Sequence, residues 1–269
     1  MNNQRRIEKI IKNIKEIKIQ GAKNIAKAAL KAYSLEPSKK IKNKLIETRP
    51  TEPMMQNVLE LAEKKIPLKQ IKEHFETAQQ EINEIVLKLI KANNVVFTHC
   101  HSTNVVKALV YSKKKNKTFE VYNTETRPLF QGRKTAKDLK RAGIKVTMFI
   151  DSAMNVALSK ELGTKKVSKI FTGADALVKE GIINKIGSEV LAILAKKHKI
   201  PFYVIADSWK FSKHKIPIEN RKLNEVWDKA PKKIKIKNPA FEFVPKKYIS
   251  GIVTEYGLLS YDQFLNKVN

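Results

Sequence analysis

The segment Thr98-His-Cys-His-Ser102 holds the one cysteine of the chain, Cys100, between two histidines. A thiol can serve as a nucleophile or can give and take a proton, depending on its surroundings. A free cysteine more commonly packs as a small hydrophobe, so position must decide between the two. Zinc does not suit the segment, because there is no second cysteine and His99 and His101 lack a partner pair at ligand spacing. Asp175, in Thr172-Gly-Ala-Asp175, is a candidate general base or anchor for hydroxyls, with a turn or N-cap aspartate as the plainer alternative. Thr124-Glu-Thr-Arg-Pro-Leu-Phe-Gln-Gly132 is followed by Arg133 and Lys134. Arg127, Arg133 and Lys134 around one loop suit an anion, since guanidinium reads phosphate bidentately, and a solvated charged loop competes with that reading. Asn184, Lys185 and the N–H groups of a helix opening near Ser188 could cradle a phosphate. The spacing is not that of a Walker loop. Arg49, in Thr48-Arg-Pro-Thr51, would join them if its segment reaches across to a cleft.

These residues need elements that bring them together. From Ile7 to about Lys91 the apolar residues recur at three- and four-residue spacings, which predicts several helices. The breaks fall at Gln20–Gly21, at Glu36-Pro-Ser38, at Thr48-Arg-Pro-Thr51 and at Pro67. These stripes read as helix core. At Val95 the period changes. Short apolar runs at Val95–Phe97, Thr118–Tyr122, Lys145–Ile150, Val167–Phe171 and Phe202–Ala206 alternate with helical patterns, the first of them opening near Ser102 or Thr103. That alternation predicts an α/β fold: an N-terminal helical domain over residues 1–93, then a Rossmann-like parallel sheet with helices on both faces over residues 94–269. Tyr248–Thr254 reads as a last strand and the terminal segment as a short helix. Ligands of such sheets bind beyond the carboxyl ends of the strands. Cys100, Thr124–Arg127, Asp151–Ser152, Asp175 and Asp207–Ser208 each follow a predicted strand, so all are expected along one sheet edge.

Composition narrows the class. The chain has 269 residues, 42% apolar, which is ample for a core in one or two domains. A lone cysteine excludes an intrachain disulfide framework and fits a reducing cytoplasm. The amphipathic start has no signal-peptide core and no run is long enough to span a membrane, so a soluble, cytoplasmic protein is expected. The net charge of +28 comes mostly from lysines spread along the chain. Its densest runs carry no interleaved aromatics, so nucleic acid is not the expected partner.

Taken in order, Thr48–Thr51, Thr98–Ser102, Thr124–Gly132, Ile150-Asp-Ser152, Gly173-Ala-Asp175, Asn184–Gly187, Pro239–Pro245 and Thr254-Glu255 resemble one superfamily over nearly the whole chain. It unites archaeal ribose-1,5-bisphosphate isomerases, methylthioribose-1-phosphate isomerases and the regulatory subunits of translation initiation factor 2B. The resemblance implies a catalytic pair, Cys100 and Asp175, which the regulatory subunits generally lack. It implies substrate contacts from Gln20, Gly21, Ala22, Arg49, Arg127, Arg133, Asn184 and Lys185. It further implies conversion of α-D-ribose 1,5-bisphosphate to ribulose 1,5-bisphosphate in AMP degradation leading to a Rubisco, without cofactor or metal. A homo-oligomer, a dimer or an assembly of dimers, is implied too, and a nucleotide effector is compatible with it. The alternatives are a non-catalytic regulatory subunit and a methylthioribose-1-phosphate isomerase. Two positions depart from the pattern. Gln20 stands where an arginine is common, and a neutral amide cannot make an ionic phosphate contact. His101 stands where asparagine is common; a histidine there can still donate a hydrogen bond, but its protonation would make the position pH-dependent.

Overall fold

The structure is a computed structural model that describes residues 2–218 and 220–268. Five helices come first: α1 (Asn3–Lys15), α2 (Ala22–Leu35), α3 (Lys39–Thr48), α4 (Pro53–Glu63) and α5 (Leu68–Leu89). Their ends follow local chemistry. The Ser38 hydroxyl accepts from the Ile41 N–H and caps α3, and Pro53 opens α4 where its missing N–H is no loss. Ile7, Ile14, Ile25, Ala29, Leu45, Met55 and Leu59 close into one core among α1 to α4. Each buried aliphatic side chain of this kind contributes roughly 1.5–3 kcal/mol.

The longest helix, α5, belongs to two cores. Ile71 and Phe75 near its start pack with Ala26, Met54 and Val58. Ile82 and Val86 near its end pack with Val96, Leu109 and Val121 of the α/β part. One continuous helix therefore carries the join, so the helical layer is seated on the sheet rather than linked by a flexible connector.

The main sheet has seven strands: β1 (Asn94–Thr98), β2 (Phe119–Thr124), β3 (Lys145–Phe149), β4 (Lys169–Thr172), β7 (Phe202–Ile205), β9 (Gly251–Thr254) and β10 (Gly257–Leu259). Their order is β10-β9-β7-β4-β1-β2-β3, and all pairs are parallel except β9 with β10. Helices α6 (Thr103–Lys114), α7 (Gln131–Arg141), α8 (Met154–Ser159), α9 (Ser188–Lys197) and α10 (Tyr261–Val268) complete the layers. The chain winds outward through β1, β2 and β3, then returns to place β4 on the other side of β1. That reversal makes β1/β4 the topological switch point of the sheet.

The continuous parallel pattern does not extend to every strand. β5 (Ala176–Val178), β6 (Gly181–Lys185) and β8 (Phe241–Pro245) form a separate antiparallel sheet beside the first. Asn184 and Lys185 therefore stand on a strand, with α9 opening three residues later. The described residues of 212–218 and 220–240 cross this region with little regular structure.

Polar ties fix the helical layer to the sheet. Asn57 Nδ2 donates to the carbonyls of Trp209 and Phe211 at 2.7 and 2.8 Å. His74 stacks on Trp209 with ring centroids 3.5 Å apart, and its Nε2 lies 3.0 Å from Asp207 Oδ1. Glu255, just beyond β9, accepts from the Ser208 N–H at 3.1 Å. Burial, then the charge of Asp207, holds its carboxyl above the usual range. No helix among the described residues is long and apolar enough to cross a membrane.

Candidate active site

Cys100 follows β1 at the switch point and has φ of +65°, a left-handed conformation rare for a residue with a side chain. Such a backbone costs on the order of 1–2 kcal/mol and persists only where its surroundings hold it. Two threonines do so. The Cys100 N–H donates to Thr126 Oγ1 at 3.0 Å, and Thr135 Oγ1 donates to the Cys100 carbonyl at 2.9 Å. Thr126, in the loop after β2, is itself left-handed at φ +64°. Its position is set by Asp151, whose carboxylate accepts from the N–H groups of Thr126 and Arg127 at 2.9 and 2.7 Å.

The two histidines beside Cys100 sit in different hydrogen-bonding arrangements. Buried His99 has Nε2 2.8 Å from the Ile186 carbonyl, which can only accept, so Nε2 carries the proton. Its Nδ1 then takes the Thr124 hydroxyl at 2.6 Å. Burial is the main cause that keeps the His99 pKa low. His101 has Nδ1 3.0 Å from Thr135 Oγ1 and Nε2 3.1 Å from Lys134 Nζ. Burial, and then the Lys134 charge, push its pKa down to about 4. Any pH dependence that His101 brings is therefore placed well below neutrality.

Asp175 comes just after β4, the strand next to β1. Its N–H donates to the Ile183 carbonyl at 2.9 Å, joining it to β6. The approach of this turn to the Cys100 segment requires glycine at position 173, since a Cβ there would meet Ser102 Oγ at 2.5 Å. Burial, then the charge of Asp175, push the Cys100 thiol up to about 12. The protonated thiol is thus favoured over the thiolate at Cys100. Lys185 belongs to the same group. Burial lowers its pKa most, Arg221 adds to that, and Cys100, Asp175 and Glu225 oppose it. Asn184 sits beside Lys185, but its Nδ2 donates to Thr172 Oγ1 and Ser188 Oγ at 2.9 and 2.8 Å. Both amide hydrogens are spent, so Asn184 braces the junction and offers a ligand only its oxygen.

The charged loop after β2 forms a rim. The guanidinium carbons of Arg127 and Arg133 lie 5.1 and 3.6 Å from the Phe130 ring centroid. Arg133 also pairs with Glu125 at 2.8 Å, and Arg127 donates to the Val226 carbonyl at 3.0 Å. Gly132 lets α7 start against β2, because a Cβ there would meet the Thr124 carbonyl oxygen at 1.8 Å. The Arg127 contact brings the 212–240 segment to the site. In that segment Arg221 pairs with Glu225 at 3.1 Å, and Asn238 Nδ2 donates to Glu225 and to the Lys222 carbonyl. Sequence reasoning placed Thr126 on the candidate edge as part of Thr124–Arg127 but gave it no role, and it did not find Arg221, Glu225 or Thr135. The i,i+4 spacing of Arg221 and Glu225 was the available signal for that pair.

The helical layer supplies the remaining candidates. Arg49 pairs with Glu52 at 3.3 Å and lines a cavity of about 330 Å³ with Ile17, Pro217 and Ile218. That cavity lies against the same 212–240 segment that reaches Arg127. Gln20 keeps to its own turn, where its Nε2 donates to the Ile17 carbonyl at 3.1 Å. Gly21 and Ala22 follow at the start of α2. Electrostatic influence, rather than direct contact, links Lys185 with Cys100, Asp175 and Arg221, while Gln20, Gly21 and Ala22 stay on the helical side.

Comparison with known proteins agrees with this architecture. A ribose 1,5-bisphosphate isomerase of Methanocaldococcus jannaschii is 34% identical over 94% of this chain and 91% of its own. A Pyrococcus horikoshii structure described as translation initiation factor eIF-2B superposes with a TM-score of 0.81 at 25% identity, covering 95% of this chain and 97% of that one. The 5-methylthioribose 1-phosphate isomerase of Pyrococcus horikoshii gives 0.78 at 26% identity, covering 97% and 87%. The model of the initiation factor 2 subunit family matches residues 16–261, and the chain belongs to that family.

Proposed function

We propose that the chain is an aldose–ketose isomerase that converts α-D-ribose 1,5-bisphosphate to ribulose 1,5-bisphosphate. The observation that carries the reading is the placement of Cys100 just after β1 and of Asp175 just after its parallel neighbour β4, close enough for the Asp175 charge to act on the thiol. A regulatory subunit that only binds has no need of such a pair. The archaeal relative named above, matched over nearly its full length, supports the same reading.

A phosphate on the anomeric oxygen prevents the sugar ring from opening freely, so the bond between C1 and the ring oxygen must be cleaved with assistance. In this mechanism Cys100 gives its proton to the ring oxygen as that bond breaks. Asp175 takes the proton of the C2 hydroxyl. Hydrogen and two electrons pass from C2 to C1, so C2 becomes the ketone and C1 is reduced, with no outside oxidant. The proton held by Asp175 then restores the Cys100 thiol. Lys185 and Arg221, with Arg49, Arg127 and Arg133, hold the two phosphates. Gln20, Gly21 and Ala22 close the helical side. Charge-assisted contacts of this type are about twice as strong as neutral ones.

Residues 1–93 act here as the helical cover and residues 94–269 as the catalytic α/β unit, working in the cytoplasm as a homo-oligomer. The edge strand β3 supports self-association, since Met148 on it and Ile150 just after it are 46% and 60% exposed. The test is incubation of purified protein with ribose 1,5-bisphosphate and with methylthioribose 1-phosphate, following ketose formation. Turnover of the bisphosphate is expected to exceed that of the methylthio sugar. Binding without turnover of either would favour the regulatory reading, which Gln20 weakly supports.

A further inference from the structure

The hydrogen bonds around His101 run in one direction. The Lys134 ammonium has donors only, so it donates to His101 Nε2, 3.1 Å away. A neutral imidazole with a bare Nε2 carries its proton on Nδ1, which faces Thr135 Oγ1 at 3.0 Å. Thr135 Oγ1 accepts that proton and is left to donate its own, which it does to the Cys100 carbonyl at 2.9 Å. Every atom in the series has one role and no reversal is available, because nothing can be donated to the ammonium. Thr135 is 1% exposed, so no bulk water competes for its hydroxyl. The far end of the series is the residue that stands in a left-handed backbone at the switch point.

We propose that Lys134, His101 and Thr135 form a directed hydrogen-bond relay that positions Cys100 for its proton transfer. The three are positioning residues: none needs to touch the sugar. His101 acts as a neutral spacer that converts a surface cation on α7 into a fixed donor at the Cys100 carbonyl. Burial, Lys134 and the opposing Asp138 on α7 set its charge state, and the balance keeps it neutral. The thiol follows its backbone, so freeing the carbonyl lets Cys100 relax toward ordinary φ and moves its Sγ. This assignment rests on the isomerase reading for its purpose, but the relay itself is observable without any substrate.

Cys100 is the only thiol in the chain, so alkylation by iodoacetamide reports on it alone. In the intact protein the half-buried, protonated thiol should react slowly. Thr135→Val keeps the shape and removes the hydroxyl, and should raise the alkylation rate by about tenfold or more. The same variant should lower kcat about tenfold to a hundredfold with KM little changed, as small misplacements of a reacting group do. Thr135→Ser restores the hydroxyl and should recover both values. Imidazole nitrogen NMR of the native protein should show His101 with its proton on Nδ1 and His99 with its proton on Nε2. Lys134→Met should convert His101 to a mixture of tautomers. An Nε2-protonated His101 in the native protein, or a folded Thr135→Val that alkylates at the native rate, overturns the relay. Absence of turnover in the native protein would instead sink the isomerase reading, and the tautomer and alkylation results would still decide the relay. Should Thr135→Val fail to fold, the NMR arm decides alone: an Nδ1 proton on His101 that Lys134→Met redistributes upholds the relay, and a tautomer unchanged in Lys134→Met overturns it.

Discussion

The junction of β1 with β4 and the rim of arginines beside it are built on different principles. At the junction Cys100, Thr126, Thr135 and His99 are held by hydrogen bonds from several elements, and the titratable groups are shifted by burial. At the rim Arg133 is half exposed, resting on Phe130 and pairing with one carboxylate. Low dielectric makes each charge at the junction count heavily, whereas water screens the rim. On the proposed mechanism, chemistry belongs at the junction and substrate capture at the rim. Substitutions at the two places should fail in different ways: kcat at the first, KM at the second.

The largest effect is expected for Asp175→Asn, which removes the base while keeping shape. Its kcat should fall on the order of a hundredfold to ten-thousandfold with KM nearly unchanged, read by steady-state kinetics. Lys185→Met tests whether the buried lysine works with the junction or with the rim. We expect kcat/KM to fall about a hundredfold, mostly through KM, since a charge-assisted phosphate contact in a partly dry site is worth roughly 2–3 kcal/mol. A fall confined to kcat would move Lys185 into the proton-transfer machinery.

His101 gives the comparison a pH axis. Its folded pKa of about 4 lies below the ordinary value of 6.5, so below pH 6.5 the unfolded chain gains a proton that the folded one refuses. Stability is thus present above pH 6.5 and is lost as pH falls toward 4. Between pH 7 and 5 the loss should be about 2 kcal/mol more for the native protein than for His101→Asn, measured by urea unfolding. Equal losses would show that His101 titrates normally.

Smaller effects belong to the rim. Arg127→Ala should raise KM about tenfold and leave kcat alone, the effect of losing one charged hydrogen bond. Gln20→Arg should lower KM by only a few-fold, as a surface charge adds about 0.2–1 kcal/mol. A large gain from Gln20→Arg would mean that the helical side carries more of the binding than the rim.

Much of this contrast was legible in the sequence. The breaks at Gln20–Gly21, Glu36–Ser38 and Thr48–Thr51 are the boundaries of α1 to α4, because glycine, proline and a capping serine act locally. Strand order alone brought Cys100 and Asp175 to one sheet edge, since that rule needs only the sequence of elements. The small antiparallel sheet was not legible. β6 pairs with β8, which lies far along the chain, and no local signal marks that pairing. The clamps on Cys100 were hidden for the same reason. Thr126 lay inside the expected edge stretch Thr124–Arg127, but its clamp on a residue 26 positions away did not show, and Thr135, 35 residues away and uncharged, is singled out by neither spacing nor charge pattern. The state of His101 depends on burial, which a sequence expresses only through its fold.

The most direct test is the turnover of ribose 1,5-bisphosphate by the native protein and by Cys100→Ser, measured with substrate affinity in parallel. A serine hydroxyl is a far weaker acid than the thiol, so kcat should drop at least about a hundredfold while binding persists. A Cys100→Ser protein that binds and turns over the bisphosphate at near the native rate would contradict the assignment of Cys100 as the proton donor.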